Sequence, residues 1–116
     1  MTEAYDVQFL ETALADMSEI LESFIALGSR QGAVRLQQKI IKSAGLLELF
    51  PYAGSKVPDE KLAASGFRMV VIEKYLMFYK VAETEKTVLI YRLLNGKRDY
   101  PLLFGSIAEQ DDTNLS

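Results

Sequence analysis

The sequence predicts an α+β domain: an N-terminal strand, an antiparallel helix hairpin, and a three-stranded antiparallel meander. Together they make one mixed four-stranded sheet packed by the helices. Three observations carry this. Residues 4–9 alternate apolar and polar, the period of a half-buried strand. Residues 11–49 show apolar positions three or four apart, broken once at Gly28-Ser29. Residues 67–94 hold three β-rich runs separated by short polar turns.

In the first strand Tyr5, Val7 and Phe9 face one way, and Ala4, Asp6 and Gln8 the other. A terminal strand must pair with something later, and the meander is the available partner. The first helix is expected from Glu11 to about Leu27, with Leu10, Leu14, Met17, Leu21 and Phe24 on its apolar stripe. Ala13, Ile20 and Ile25 widen that stripe, and Gly28 suits a C-terminal stop. Ser29 can cap a second helix from about Arg30 to Leu49. Its expected core face is Ala33, Val34, Leu36, Ile40, Ile41, Ala44, Leu47 and Phe50, with Arg30, Arg35, Gln38, Lys39 and Lys42 outward. Pro51 ends it, because proline lacks the N–H and its ring clashes with a continuing helix. The two-residue link makes the helices antiparallel neighbours.

Residues 50–54 read as a turn and Ser55 to Ser65 as a polar loop. The meander follows as Phe67–Ile72, Leu76–Val81 and Thr87–Leu94, with turns at Glu73-Lys74 and Glu83-Thr84-Glu85. Its runs are apolar on both faces, as expected of a sheet covered on both sides. Arg68 and Arg92 interrupt them, and an arginine inside a strand must pair, snorkel or reach a site. The single domain is assigned to residues 1–104, and the acidic segment 105–116 to a flexible tail.

Composition narrows the chemistry. The chain has 116 residues, neither Cys nor His, and a net charge of −3. Disulfides, a thiolate nucleophile, zinc–thiolate sites and the commonest general base are thereby excluded. The Asp and Glu residues show no metal-ligand spacing, and no Gly-rich loop follows a strand, so neither metal nor cofactor is expected. Signal-peptide and membrane segments are not expected either, which suits a cytoplasmic protein. Charge is unevenly placed: residues 1–54 carry seven acids against four bases, 55–104 six against nine, and the tail three acids and no base. The basic excess falls on the strand-rich half, where it could meet an anionic partner.

Four segments, in this order and at these spacings, carry a resemblance: Leu49-Phe50-Pro51-Tyr52-Ala53-Gly54, Gly66-Phe67-Arg68, Tyr75-Leu76-Met77-Phe78-Tyr79, and residues 90–100 ending Asn95-Gly96-Lys97-Arg98-Asp99-Tyr100. Over about residues 5–104 the chain resembles the RelE/ParE superfamily, the toxins of type II toxin–antitoxin modules also called plasmid stabilisation proteins. The resemblance implies a growth inhibitor neutralised by a cognate antitoxin, with which it could form a hetero-oligomer. It offers two actions. One branch cleaves messenger RNA in the ribosomal A site by activating a ribose 2′-hydroxyl, and the other, ParE proper, poisons DNA gyrase. A third possibility is a binding module of the same fold that is no longer toxic.

For an endoribonuclease, Arg68 and Arg98 match the family positions that hold the phosphate. Glu60, Asp59, Lys56, Lys61 and Tyr100 are then the candidates for proton transfer, since an arginine stays protonated. Yet the position often held by His is Asn95, and the tyrosine some ribonuclease members carry corresponds to Phe104, which cannot transfer a proton. The gyrase reading is therefore preferred. In it Lys97, Arg98, Tyr100 and Arg92 form a target-binding surface and Arg68 holds the sheet together. A purely structural role for these arginines would be a local salt bridge, such as Arg98 with Asp99 or Glu73.

Overall fold

The computed structural model describes residues 4–97. Its elements run β1 (Asp6–Phe9), α1 (Glu11–Ala26), α2 (Arg30–Leu49), β2 (Ser55–Lys56), α3 (Glu60–Ala64), β3 (Arg68–Ile72), β4 (Tyr75–Ala82) and β5 (Thr87–Asn95). The sheet order is β1-β5-β4-β3-β2. β1 lies parallel to β5 and the other pairings are antiparallel, so the mixed sheet has five strands rather than four. The additional strand is the two-residue β2, and α3 follows it. Both fall where the sequence suggested only a polar loop. Two-residue strands have no readable period, but α3 did leave a signal: the Asp59 carboxylate accepts the Leu62 N–H at 3.0 Å as an N-cap. The expected tail, with Phe104, lies outside the described residues.

The hairpin closes as its residues dictate. Gly28 has φ +82°, and the Gly28 and Ser29 N–H groups donate to the carbonyls of Ile25 and Phe24. That pattern satisfies two end carbonyls of α1 and needs a residue tolerant of the left-handed region. Ser29 Oγ then accepts the Gly32 N–H at 3.1 Å, capping α2.

The core is split by the sheet. On the helix side Leu36, Ile40, Ala44 and Leu47 of α2 pack with Ala13 against Ile72, Tyr75, Met77, Tyr79, Val88, Ile90 and Leu93. The other face gathers Phe67, Phe78, Tyr91 and Leu94 under Val57 and Leu62 of the β2–α3 segment. Each fully buried Leu or Ile contributes about 1.5–3 kcal/mol relative to exposure.

A bulge makes the two-sided core possible. Tyr79 stands opposite Ile90 but Phe78 opposite Arg92, so Tyr91 is the extra residue on β5. Past it the alternation flips. Val88, Ile90 and Leu93 face the helices, while Leu89, Tyr91 and Leu94 face away. An unbroken period of two would have placed Leu93 on the wrong face.

The expected helix faces are too wide. Leu14 and Ile25 of α1, and Val34, Ile41 and Phe50 on or after α2, are exposed. A helix resting on a flat sheet buries a narrow stripe, and residues on its flanks stay in solvent.

Candidate target-binding surface

Arg68 opens β3 and pairs in register with Tyr79 of β4 and Lys56 of β2. Its guanidinium donates to the Gly54 carbonyl from Nε (3.1 Å) and Nη2 (2.8 Å), and to the Tyr52 carbonyl from Nη2 (3.1 Å). It also lies 5.5 Å from the centre of the Tyr52 ring. From the other side the Gly54 N–H donates to the buried Tyr79 hydroxyl at 2.9 Å. A Cβ at Gly54 would meet both the Met69 carbonyl oxygen and that hydroxyl at 2.7 Å, so only glycine fits. The 52–54 turn is thus held from two strands.

Of the acid–base candidates, Lys56 stands opposite Arg68 in the β2–β3 register, but Glu60 and Lys61 do not join it. Its cross-strand neighbour Tyr79 belongs to the helix-side core, whereas α3, which carries Glu60 and Lys61, packs through Leu62 on the opposite face. Asp59 serves as the α3 N-cap.

Arg92 is also engaged within the fold. It forms a two-pronged pair with Asp16 of α1, Nε to Oδ2 at 2.7 Å and Nη2 to Oδ1 at 3.0 Å. The Leu93 N–H donates to the same carboxylate at 2.9 Å. The Asp16 hydrogen bond and charge raise the Arg92 pKa, so it stays a cation. The sequence could show that Arg92 needed a partner, but only packing of α1 along β5 supplies Asp16.

At the β3–β4 turn the picture differs. Glu73 sits at φ +56°, a left-handed conformation that costs a non-glycine residue about 1–2 kcal/mol. Its carboxylate accepts Arg35 Nε at 3.2 Å and Arg35 Nη2 at 3.3 Å, and pairs with Lys39 Nζ at 2.9 Å. Hydrogen bonds from Arg35 and then Lys39 lower its pKa, so it remains ionised. Both cations nevertheless keep about half of their side-chain surface in solvent (53% and 52%). Lys74 follows Glu73 and lies beside the Tyr75 ring, and its carbonyl accepts the Gly96 N–H at 2.8 Å. Lys97 comes next, its N–H bonded to Asn95 Oδ1 at 2.9 Å.

Arg35 and Lys39 therefore share Glu73 at the end of the sheet where Lys74 and Lys97 also lie. An open pocket of about 310 Å³, lined by Asp16, Glu19, Lys74 and Asn95 among others, adjoins it. Of these cations the sequence singled out only Lys97. The spacing of Arg35 and Lys39 marked no more than a solvated helix flank, and only the tertiary fold sets them at the strand turn. Arg98 and Tyr100, together with Asp99, lie outside the described residues. Glu73, considered as a partner of Arg98, is occupied by Arg35 and Lys39.

Residues 7–100 match the family described as ParE toxin of type II toxin–antitoxin system, parDE. The chain belongs to the ParE toxin family. As such it is a toxin of the type II toxin–antitoxin class. Its fold is similar to a chain of the chromosomal ParDE system from P. aeruginosa, with a TM-score of 0.65 and 20% identity over 81% of this chain and 98% of that one. It is also similar to a chain of the RelBE2 toxin–antitoxin complex from Mycobacterium tuberculosis, with a TM-score of 0.56 and 23% identity over 79% and 98%. No curated protein sequence matches it significantly. Among the described residues no helix is long and apolar enough to cross a membrane, and no group of three or more acidic ligands could hold a metal ion.

In this ParE-family chain three of the four resemblance segments meet at one point. Gly54, Arg68 and Tyr79 are bonded to one another through the 52–54 turn. Much of what marks the family in this sequence is thus a scaffold joint.

Proposed function

We propose that this toxin arrests growth by binding DNA gyrase, not by cutting messenger RNA, and that a cytoplasmic cognate antitoxin neutralises it in a hetero-oligomer. The observation that supports this most is the engagement of Arg68. A phosphate-holding arginine should present free N–H groups to the ligand, but this one spends its Nε and Nη2 on backbone carbonyls. Glu60 and Lys61 on α3 lie across the sheet from it, so among the described candidates only Lys56 stands beside Arg68, and no carboxylate candidate does. The cations around Glu73 suit a binding surface for an anionic target, with Lys97 at its margin and Arg98 following it in sequence.

An antitoxin partner is supported by the two similar folds, each of which comes from a toxin–antitoxin system. A place for one exists on this chain. β2 covers β3 only at Arg68 and Met69, so among the described residues no strand pairs with the outer edge of Val70–Ile72, which could take an added one. Beside it lies an apolar groove of about 290 Å³ lined by Leu46, Leu47, Met69 and Val71.

Pulse labelling after induction of the protein alone in a bacterial host tests the proposal. DNA synthesis should fall first while translation continues. An immediate fall in translation with messenger cleavage would replace gyrase by the ribosome as target. Unimpaired growth would identify a binding module without toxicity.

A further inference from the structure

The outer side of the α1–α2 hairpin is an apolar strip with opposite charges on its two helices. Leu14 and Ile25 of α1 are 45% and 52% exposed, and Val34 and Ile41 of α2 are 47% and 57% exposed. Their spacings place each pair on one helix flank, and nothing in the fold covers them among the described residues. The strip continues to Gly45, four residues beyond Ile41. A glycine inside a helix is costly relative to alanine, and a Cβ here would meet no atom within 4 Å. The monomer gives no reason for it, whereas a helix approaching from outside would need the space.

Charge decides what approaches. Asp16 is held by Arg92, and Arg35 and Lys39 by Glu73. Beyond these, α1 still carries Glu11, Glu19 and Glu22 and no base, while α2 carries Arg30 and Lys42 against a single acid, Glu48. We propose that this face pairs with the same face of a second copy, as a four-helix interface about a two-fold axis parallel to the helices. That axis lays acidic α1 over basic α2 of the copy, twice. A two-fold axis perpendicular to the helices would set α1 on α1 and oppose like charges, which selects against it. Counting outward from the hairpin tip at Gly28, Glu11 is level with Gly45 and Lys42 with Leu14. Exposed Glu11 therefore comes within a helical turn of Lys42 on the copy. The strip centre, Leu14, Ile25, Val34 and Ile41, is then buried in the manner of a bundle core. This pairing leaves the β3 edge and the cations around Glu73 to other partners, and it stands or falls independently of the gyrase assignment.

Sedimentation of the purified full-length chain over a range of concentrations tests it. A reversible dimer is expected. Ile41→Glu should weaken it by about a hundredfold or more, because the change buries two charges per dimer. The residue is exposed in the monomer, so thermal unfolding should remain cooperative. Lys42→Glu should weaken the dimer and the added change Glu11→Lys should restore it. A monomer at every concentration would overturn the proposal, and would leave the strip to an antitoxin segment or to residues 98–116. A dimer indifferent to Ile41→Glu would overturn it as well. A Glu11→Lys/Lys42→Glu protein weaker than Lys42→Glu alone would refute the helix arrangement.

Discussion

The two ends of the sheet use arginine and lysine in opposite ways. At the Gly54 end Arg68 is half-buried, its Nε and Nη2 donors are spent on backbone carbonyls, and the Gly54 position has no room for a side chain. At the Glu73 end Arg35 and Lys39 share one carboxylate and keep about half of their side-chain surface in water. A cation engaged in this way stabilises the fold and has fewer donors left for a ligand. An unsaturated one adds little stability and keeps its hydrogen-bonding capacity. The conspicuous motif arginine is accordingly the scaffold residue, and the inconspicuous helix cations are the functional candidates.

Substitutions can break this contrast, beginning where the effect is largest. Gly54→Val forces side-chain atoms into the Met69 carbonyl and the Tyr79 hydroxyl and should destabilise by about 3 kcal/mol or more, read from denaturant unfolding. Tyr79→Phe keeps the ring but strands the buried Gly54 N–H, at a cost of about 1–3 kcal/mol. Arg68→Lys can replace neither the fork on two carbonyls nor its planar contact with Tyr52. It should cost about 1–2 kcal/mol while the remaining folded protein keeps its toxicity. If Arg68→Lys abolished toxicity at unchanged stability, the scaffold assignment would fail.

The Glu73 end should behave oppositely. Glu73→Gln should change stability at neutral pH by no more than about 1 kcal/mol, the range of exposed ion pairs. Its sign with pH follows from linkage. The folded state depresses the Glu73 pKa, so this pair's contribution is present at neutral pH and lost as pH falls through the folded-state pKa. Acid titration of stability should therefore be shallower in Glu73→Gln than in the parent. An identical acid dependence would mean that the pair contributes nothing.

The contrast also explains what could be read in advance. β1, the helix hairpin and the meander were legible because strand and helix periods, Gly28, Ser29 and Pro51 are local signals. β2 was hidden because two residues carry no period. The width of the buried helix faces was hidden too, since Leu14, Val34 and Ile41 look like core until a sheet fixes the contact line. The site was least legible. Arg35 and Lys39 are far in sequence from Glu73 and Lys97, and Asp16 is equally far from Arg92. No spacing rule connects residues that meet only when α1 and α2 cross the sheet.

The most direct test of the central claim is gyrase inhibition by a Lys39→Ala/Lys97→Ala protein, measured as loss of DNA supercoiling beside its thermal unfolding. Inhibition should weaken about tenfold, the equivalent of about 1.4 kcal/mol of binding, with the unfolding temperature unchanged. Full inhibition by this variant would contradict the account, because the target would then be held elsewhere on the molecule.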